Sequence, residues 1–221
     1  RIVTYPFDRR LRALHLFTCF WASLYTWVMP GWYIRVMDRE KIPSGGAFVV
    51  VSNHQSQLDI LVAFRTFFHF KWVSKVEIFR VPLIGWNMML NRYIKIKRGD
   101  KESIKQMMDV CEERIGEGSS VYFFPEGTRS PDGVVKKFKL GAFELAKKMK
   151  VGIVPLVISW TKEALPKYSI RYHGVTKMAI KVLDMIPYSA FAGLSVEETA
   201  EMVREVIIKN LSLLEQQLAG A

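Results

Sequence analysis

The segment Asn53-His54-Gln55-Ser56-Gln57-Leu58-Asp59 places an imidazole five residues before a carboxylate. It directly follows the β-branched run 47–52, which predicts a buried strand. Because open α/β sheets bind ligands at their carboxyl edge, we expect His54 in that crevice and Asp59 in the first turn of the next helix. From there Asp59 can accept a hydrogen bond from Nδ1–H of His54, which leaves Nε2 free as a base. A structural cap is the alternative interpretation of such a pair.

A second cluster, Phe123-Phe124-Pro125-Glu126-Gly127-Thr128-Arg129-Ser130, also follows a run typical of a buried strand. One interpretation is an ordinary turn with a surface ion pair between Glu126 and Arg129. The other is an anion site at the same sheet edge, where the backbone N–H groups of Gly127 and Thr128 and the Arg129 guanidinium face the ligand. The sequence contains no nucleophile-elbow serine, P-loop, zinc-protease or dinucleotide-binding glycine motif.

Strands and helices alternate along most of the chain, which predicts an α/β fold with a mostly parallel central sheet flanked by helices. The pattern predicts helices at 59–70, 82–90, 101–116 and 138–149, and a last helix that opens with a capping box of Ser195 and Glu198. It predicts strands at 47–52, near 73, and at 93–97, 120–124, 151–160 and 178–186. We divide the chain into a helical membrane-associated segment, 1–40, and an α/β domain, 41–221.

The membrane assignment rests on an uncharged, aromatic-rich stretch, 13–34, that follows Arg9, Arg10 and Arg12. Its length suffices for a transmembrane helix. However, Pro30-Gly31 interrupts it, and Trp and Tyr rings prefer the membrane–water interface. The sequence therefore favours a monotopic or re-entrant helical anchor over a span, a signal peptide or a core helix.

Amino-acid composition indicates what kind of partner the protein binds and which kinds of site to expect. The chain has a formal net charge of +11, which predicts an anionic partner such as nucleic acid, anionic lipid or a phosphorylated substrate. Half of its residues are hydrophobic, which excludes a disordered chain. It has two cysteines, Cys19 and Cys111, and neither lies in a metal-binding pattern, so we expect neither a disulfide scaffold nor structural zinc.

Taken together, the two clusters resemble the signatures of the glycerolipid acyltransferases. The sequence NHQSQLD fits the NHxxxxD block of these enzymes, and FPEGTRS is identical to their second signature, with a spacing of 72 positions from His54 to Glu126. A looser match to their middle block contains Lys75, Pro82 and Arg98, and 154–157 resembles their fourth block. The chain is thus similar to the 1-acyl-sn-glycerol-3-phosphate acyltransferase family over about half its length.

The resemblance implies transfer of a fatty acyl group from an acyl thioester to the sn-2 hydroxyl of lysophosphatidic acid, which gives phosphatidic acid for phospholipid synthesis. In that reaction His54 is the general base, Asp59 orients it, and no acyl-enzyme, metal or cofactor takes part. The implied substrate-binding residues are Lys75, Arg98, Glu126, Gly127, Thr128 and Arg129.

The implied partners are a lysophospholipid acceptor, a thioester of acyl carrier protein or coenzyme A, and membrane lipid, but no nucleic acid. The implied location is the cytoplasmic face of an inner or plasma membrane. Two alternatives stay open. One is an acyltransferase of the same family with another acceptor, such as glycerol 3-phosphate, a different lysophospholipid or a lyso-aminolipid. The other is a non-enzymatic basic membrane-binding domain, which gives no reason for both clusters in one chain.

Overall fold

A seven-stranded sheet forms the centre of the protein in a computed structural model that describes residues 8–166 and 174–220. The strands are β1 (Trp32–Met37), β2 (Val49–Ser52), β3 (Phe70–Lys75), β4 (Ile94–Ile96), β5 (Ser120–Phe123), β6 (Ile153–Ser159) and β7 (Thr176–Val182). They lie in the order β1-β7-β6-β2-β5-β3-β4. Among these described strands, every neighbouring pair is parallel except β6 and β7. The predicted mostly parallel sheet is confirmed.

Helices cover both faces of this sheet. They are α1 (Arg12–Val28), α2 (Leu58–Phe64), α3 (Ile84–Leu90), α4 (Lys101–Gly116), α5 (Gly141–Met149), α6 (Thr161–Ala164) and α7 (Val196–Ala219). The buried side chains of α4, α5 and α7 form one core cluster with Val49 and Val51 of β2. Those of α1 and α2 form the other with Val50. Alternate residues of β2 thus face opposite layers, because successive side chains of a strand point to opposite sides.

Helix caps account for the best-predicted boundaries. The helix α4 spans the predicted 101–116, and the Asp100 carboxylate accepts the Ser103 backbone N–H at 3.1 Å. Ser195 and Glu198 form the predicted capping box at the start of α7. Such side chains satisfy N–H groups that the first turn of a helix leaves without a partner, and therefore mark its start in sequence.

The predicted helix at 59–70 is wrong in its second half. The helix α2 ends at Phe64, and β3 begins at Phe70. Between them the Thr66 hydroxyl donates to the carbonyl of Ala63, and Phe67 adopts φ +49°. Apolar residues continue on both sides of this turn, at Phe64, Phe67, Phe68 and Phe70, so periodicity could not place it.

The N-terminal segment is only partly helical. After α1, Gly31 turns the chain at φ +85°, and β1 then pairs in parallel with β7 from Trp32↔Thr176 to Met37↔Lys181. The expectation of a helical segment over 1–40 is therefore wrong for 32–37, which form a strand. Because this strand belongs to the central sheet, the sheet begins before the predicted domain boundary at residue 40. Residues 1–7 of that segment lie outside the described residues. No helix in the described ranges combines the length and apolarity needed to cross a bilayer.

Candidate active site

Four neighbouring parallel strands bring the predicted site residues to one edge of the sheet. The order β2-β5-β3-β4 aligns four carboxyl ends side by side. His54 follows β2, Glu126 follows β5, Lys75 ends β3 and Arg98 follows β4. This is the edge at which open α/β sheets bind ligands, as expected from the sequence.

His54 and Asp59 form the predicted hydrogen-bonded pair. Nδ1 of His54 lies 2.7 Å from Oδ2 of Asp59, which sits in the first turn of α2. The carboxylate is fully buried, whereas 12% of the His54 side chain is exposed. Because the carboxylate is an acceptor, Nδ1 carries the proton and Nε2 presents its lone pair. No hydrogen bond from another described residue reaches Nε2.

Three further donors hold the Asp59 carboxylate. The backbone N–H groups of Gln55 and Ser56 donate to Oδ2 at 2.6 and 2.9 Å. The hydroxyl of Thr161, the first residue of α6, donates to Oδ1. A fully engaged carboxylate has one orientation, so the imidazole that it binds is fixed as well. Sequence reasoning missed Thr161, because a single threonine 102 residues away carries no recognisable signal.

An aromatic stack supports the imidazole from one side. The His54 ring lies 4.0 Å from the Phe124 ring, with an angle of 17° between the planes. Phe124 in turn stacks on Trp72 at 5.3 Å and 18°. The ring of His54 is thus held both at Nδ1 and across one face, whereas Nε2 has no hydrogen-bond partner among the described residues.

Glu126 joins the second cluster to the first. Its side chain is buried; Oε1 accepts the backbone N–H of His54 at 2.8 Å, and Oε2 accepts that of Lys136 at 3.1 Å. The backbone N–H of Ser130 donates back to the His54 carbonyl at 2.8 Å. Burial raises the pKa of Glu126, and the two backbone N–H groups oppose that shift. Glu126 thus links the loop that holds His54 to the segment that holds Lys136 through backbone hydrogen bonds. Its contact with substrate stays a prediction.

The turn after Glu126 holds the residues that the sequence predicts for an anion site, and one of the predicted donors is engaged within the turn itself. Gly127 adopts φ +68°, a conformation that favours glycine, and its N–H donates to the Phe124 carbonyl at 3.0 Å. The Gly127 N–H is therefore already engaged within the turn. Thr128 is exposed and Arg129 is partly buried.

Lys75 and Arg98 lie on the same edge, farther along it. Lys75 pairs in register with Ile96, two residues before Arg98, and both basic side chains are exposed. No hydrogen bond among the described residues links either of them to His54 or to the turn at 126–130. Their role in binding substrate stays a prediction.

The two cysteines lie away from this chemistry. Both are buried and not disulfide-bonded. Burial raises the pKa of Cys19 to about 12 and also raises that of Cys111. Neither thiol is a thiolate at neutral pH, so neither suits a role as nucleophile. Within 8–166 and 174–220, no group of three or more His, Cys, Asp and Glu side chains could hold a metal ion.

The sequence that forms this edge is similar to that of known proteins. A family model described as Acyltransferase matches residues 33–159, more than half of the chain and the part that holds both clusters. A chloroplastic 1-acyl-sn-glycerol-3-phosphate acyltransferase of Arabidopsis thaliana is 39% identical over 178 residues, which are 79% of this chain and 49% of that protein. The chain belongs to the 1-acyl-sn-glycerol-3-phosphate acyltransferase family.

A bacterial relative agrees with this assignment, and a solved structure has the same fold. A 1-acyl-sn-glycerol-3-phosphate acyltransferase of Pseudomonas aeruginosa is 32% identical, over 74% of this chain and 65% of that protein. The crystal structure of the 1-acyl-sn-glycerophosphate acyltransferase PlsC from Thermotoga maritima has the same fold as this chain. It superimposes with a TM-score of 0.73 at 23% identity, over 93% of this chain and 92% of that one. The chain spans about half the length of the plant relatives it matches.

Proposed function

We propose that this chain transfers a fatty acyl group from a thioester of acyl carrier protein or coenzyme A to the sn-2 hydroxyl of lysophosphatidic acid. The product is phosphatidic acid. The observation that carries the proposal is the 2.7 Å contact between His54 and Asp59 at the carboxyl edge of the sheet. Nε2 of His54 has no hydrogen-bond partner among the described residues, and the turn at 126–130 is hydrogen-bonded to the His54 backbone. The names of the relatives support lysophosphatidic acid as the acceptor.

The chemistry follows from which imidazole nitrogen is open. Nε2 takes the proton of the sn-2 hydroxyl as its oxygen attacks the thioester carbonyl, and Asp59 stabilises the imidazolium that forms. The tetrahedral intermediate then expels the thiolate, which takes the proton from Nε2 and restores the neutral ring. A positioned base of this kind contributes typically about 10²–10⁴-fold in rate. The acyl group passes directly from donor to acceptor, so the step uses no protein nucleophile.

Membrane association is the second part of the proposal. The helix α1 supports it because its small and polar side chains are buried and its large apolar side chains are exposed. Its buried residues are His15, Thr18, Cys19, Ala22, Ser23 and Thr26. Its exposed residues include Phe17 at 62%, Trp27 at 50% and Val28 at 75%. A helix of a soluble protein points its large apolar side chains inward. The reverse arrangement suits a helix that lies in a membrane interface.

The helix α3, which is hydrogen-bonded to α1, also exposes large apolar side chains. The side-chain amides of Asn87 and Asn91 donate to the Thr18 hydroxyl at 2.9 and 3.0 Å, which joins α3 to α1. Trp86 of α3 is 58% exposed, and Leu83, which precedes the helix, is 62% exposed. Contiguous exposed apolar surface marks an interaction site. Because acceptor and product both carry fatty chains, a site held at the bilayer surface avoids extracting them into water, at about 0.8 kcal/mol per exposed CH₂.

An acceptor panel tests the proposed reaction. The purified protein is supplied with an acyl thioester and, in separate reactions, lysophosphatidic acid, glycerol 3-phosphate, another lysophospholipid or a lyso-aminolipid. We expect thiol release and phosphatidic acid with the first acceptor. His54→Ala should lose at least about 10²-fold in rate while keeping its fold and its binding to vesicles. Wild-type turnover in that variant would contradict the role of His54, and transfer only to another acceptor would replace lysophosphatidic acid.

A further inference from the structure

Lys139 lies across the turn that follows Glu126, although no motif in the sequence points to it. A Cβ built on Gly127 would lie 2.8 Å from Cε of Lys139 and 3.1 Å from its Nζ. Real Cβ atoms essentially never approach within 3.0 Å, so the lysine side chain lies directly against Gly127, and in this position it would have to shift if residue 127 carried a side chain. The absence of a side chain at Gly127 thus leaves room for the basic side chain of Lys139 beside the turn.

The backbone of Lys139 is fixed in place. Its N–H donates to the carbonyl of Pro125 at 2.8 Å, which ties it to the same turn. The residue before it, Phe138, is buried and stacks on Phe143 of α5, with ring centroids 6.0 Å apart. The lysine therefore leaves a rigid backbone position, and its side chain extends over Gly127.

The ammonium group has no anionic partner within the described residues. The neighbouring carboxylate, Glu126, is buried and accepts the backbone N–H groups of His54 and Lys136 instead. The Lys139 side chain is exposed. An unpaired cation held over a turn that is hydrogen-bonded to the His54 backbone is available to a ligand bound at His54.

Resting on the proposed function, we propose that Lys139 binds the phosphate of lysophosphatidic acid. In this acceptor the phosphate is carried by the carbon next to the one that bears the sn-2 hydroxyl. When Nε2 of His54 reaches that hydroxyl, the phosphate must lie close by, and the turn clamped to His54 is where Lys139 is found. The phosphates of an acyl donor, in contrast, are separated from its thioester by a long arm. Lys139 thus acts as a point charge for the acceptor.

The test compares Lys139→Met and Lys139→Arg with a matched control, Lys137→Met, which removes an exposed lysine two residues away. KM is measured for lysophosphatidic acid and for the acyl thioester, and the rate is also measured with monoacylglycerol, which lacks the phosphate. We expect Lys139→Met to raise KM for lysophosphatidic acid about 10- to 100-fold, with KM for the thioester and the rate on monoacylglycerol unchanged. Lys139→Arg should retain most of the affinity, and Lys137→Met should match the wild type.

Three results would overturn the inference: an unchanged KM for lysophosphatidic acid, an equal loss with both acceptors, or a rise confined to the thioester. Melting temperatures of all variants identify any that fail to fold. The wild type is assayed first, and its inactivity with lysophosphatidic acid would count against the proposed function. Calorimetric titration with glycerol 3-phosphate then tests the phosphate site separately. Binding to the wild type that is lost in Lys139→Met supports the inference, and equal binding to both overturns it.

Discussion

The Glu126 carboxylate accepts the backbone N–H of His54 at 2.8 Å, which joins two loops whose residues are 72 positions apart in sequence. The same carboxylate holds the N–H of Lys136, and Ser130 donates back to the His54 carbonyl. The glutamate of the second cluster therefore supports the position of the base, and its main effect is expected on the chemical step rather than on affinity.

Replacing Glu126 with glutamine should separate these two effects. A glutamine side chain has one acceptor oxygen and no charge, so one of the two partly buried backbone N–H groups loses its carboxylate partner, at about 1–3 kcal/mol. We expect kcat to fall at least tenfold, with KM for lysophosphatidic acid nearly unchanged and a lower melting temperature. Arg129→Ala should do the opposite and mainly raise that KM. A Glu126→Gln variant with a raised KM and normal kcat would instead favour a direct contact with substrate.

Thr161 should act through Asp59. In Thr161→Val the isosteric side chain no longer donates to Oδ1 of Asp59, and a buried carboxylate oxygen loses its partner. We expect kcat/KM to fall about tenfold, because the orientation of His54 depends on that carboxylate. Thr161→Ser, which keeps the hydroxyl, should restore most of the activity. An equal loss in both variants would point to packing at the start of α6 rather than to the hydrogen bond.

Exposed aromatic side chains of α1 should control binding to lipid. Phe17→Ser combined with Trp27→Ser removes apolar surface without opening the core. We expect weaker sedimentation with anionic vesicles and an unchanged melting temperature. Leu213→Ser is the matched control, because Leu213 is an exposed apolar residue of α7, on the other face of the sheet. Equal loss of sedimentation in the control would argue against α1 as the contact.

The packing of α1 should weaken in acid. Burial lowers the pKa of His69 to about 4 and also lowers that of His15, whose Nδ1 lies 2.8 Å from the Tyr93 hydroxyl. Between the ordinary histidine pKa of about 6.5 and these lower values, the unfolded chain binds more protons than the folded one. The contribution of these two histidines to the free energy of unfolding should therefore be complete above about pH 6.5, and the free energy of unfolding should fall as the pH drops toward 4.

Melting temperatures measured from pH 7.5 down to pH 4.5 check this dependence. In His69→Gln, which retains a donor for the Arg10 carbonyl that the His69 ring contacts at 2.9 Å, the decline should be shallower. An unchanged slope in that variant would show that other groups cause the loss of stability in acid.

Local chemistry explains what could be predicted from the chain alone. The His54–Asp59 pair, the cap at Asp100 and the capping box at Ser195 are interactions between residues a few positions apart, so their spacing is visible in the sequence. The alternation of strands and helices likewise specified an α/β class with a mostly parallel sheet. The resemblance of the two clusters to a known family supplied the proposed reaction.

Contacts between distant segments had to wait for the tertiary structure. The contact from Glu126 to His54 and the Thr161 hydroxyl on Asp59 depend on how strands pack side by side, and the Lys139 side chain over Gly127 depends on how the loop between β5 and α5 folds back on itself. The pairing of β1 with β7 is of the same kind, since an edge strand within an apolar segment has no spacing signal that separates it from a helix. Sequence determined which groups could react, because reactivity belongs to the side chain and its near neighbours. Only the fold decided which groups hold them in place, because that depends on distances across the sheet.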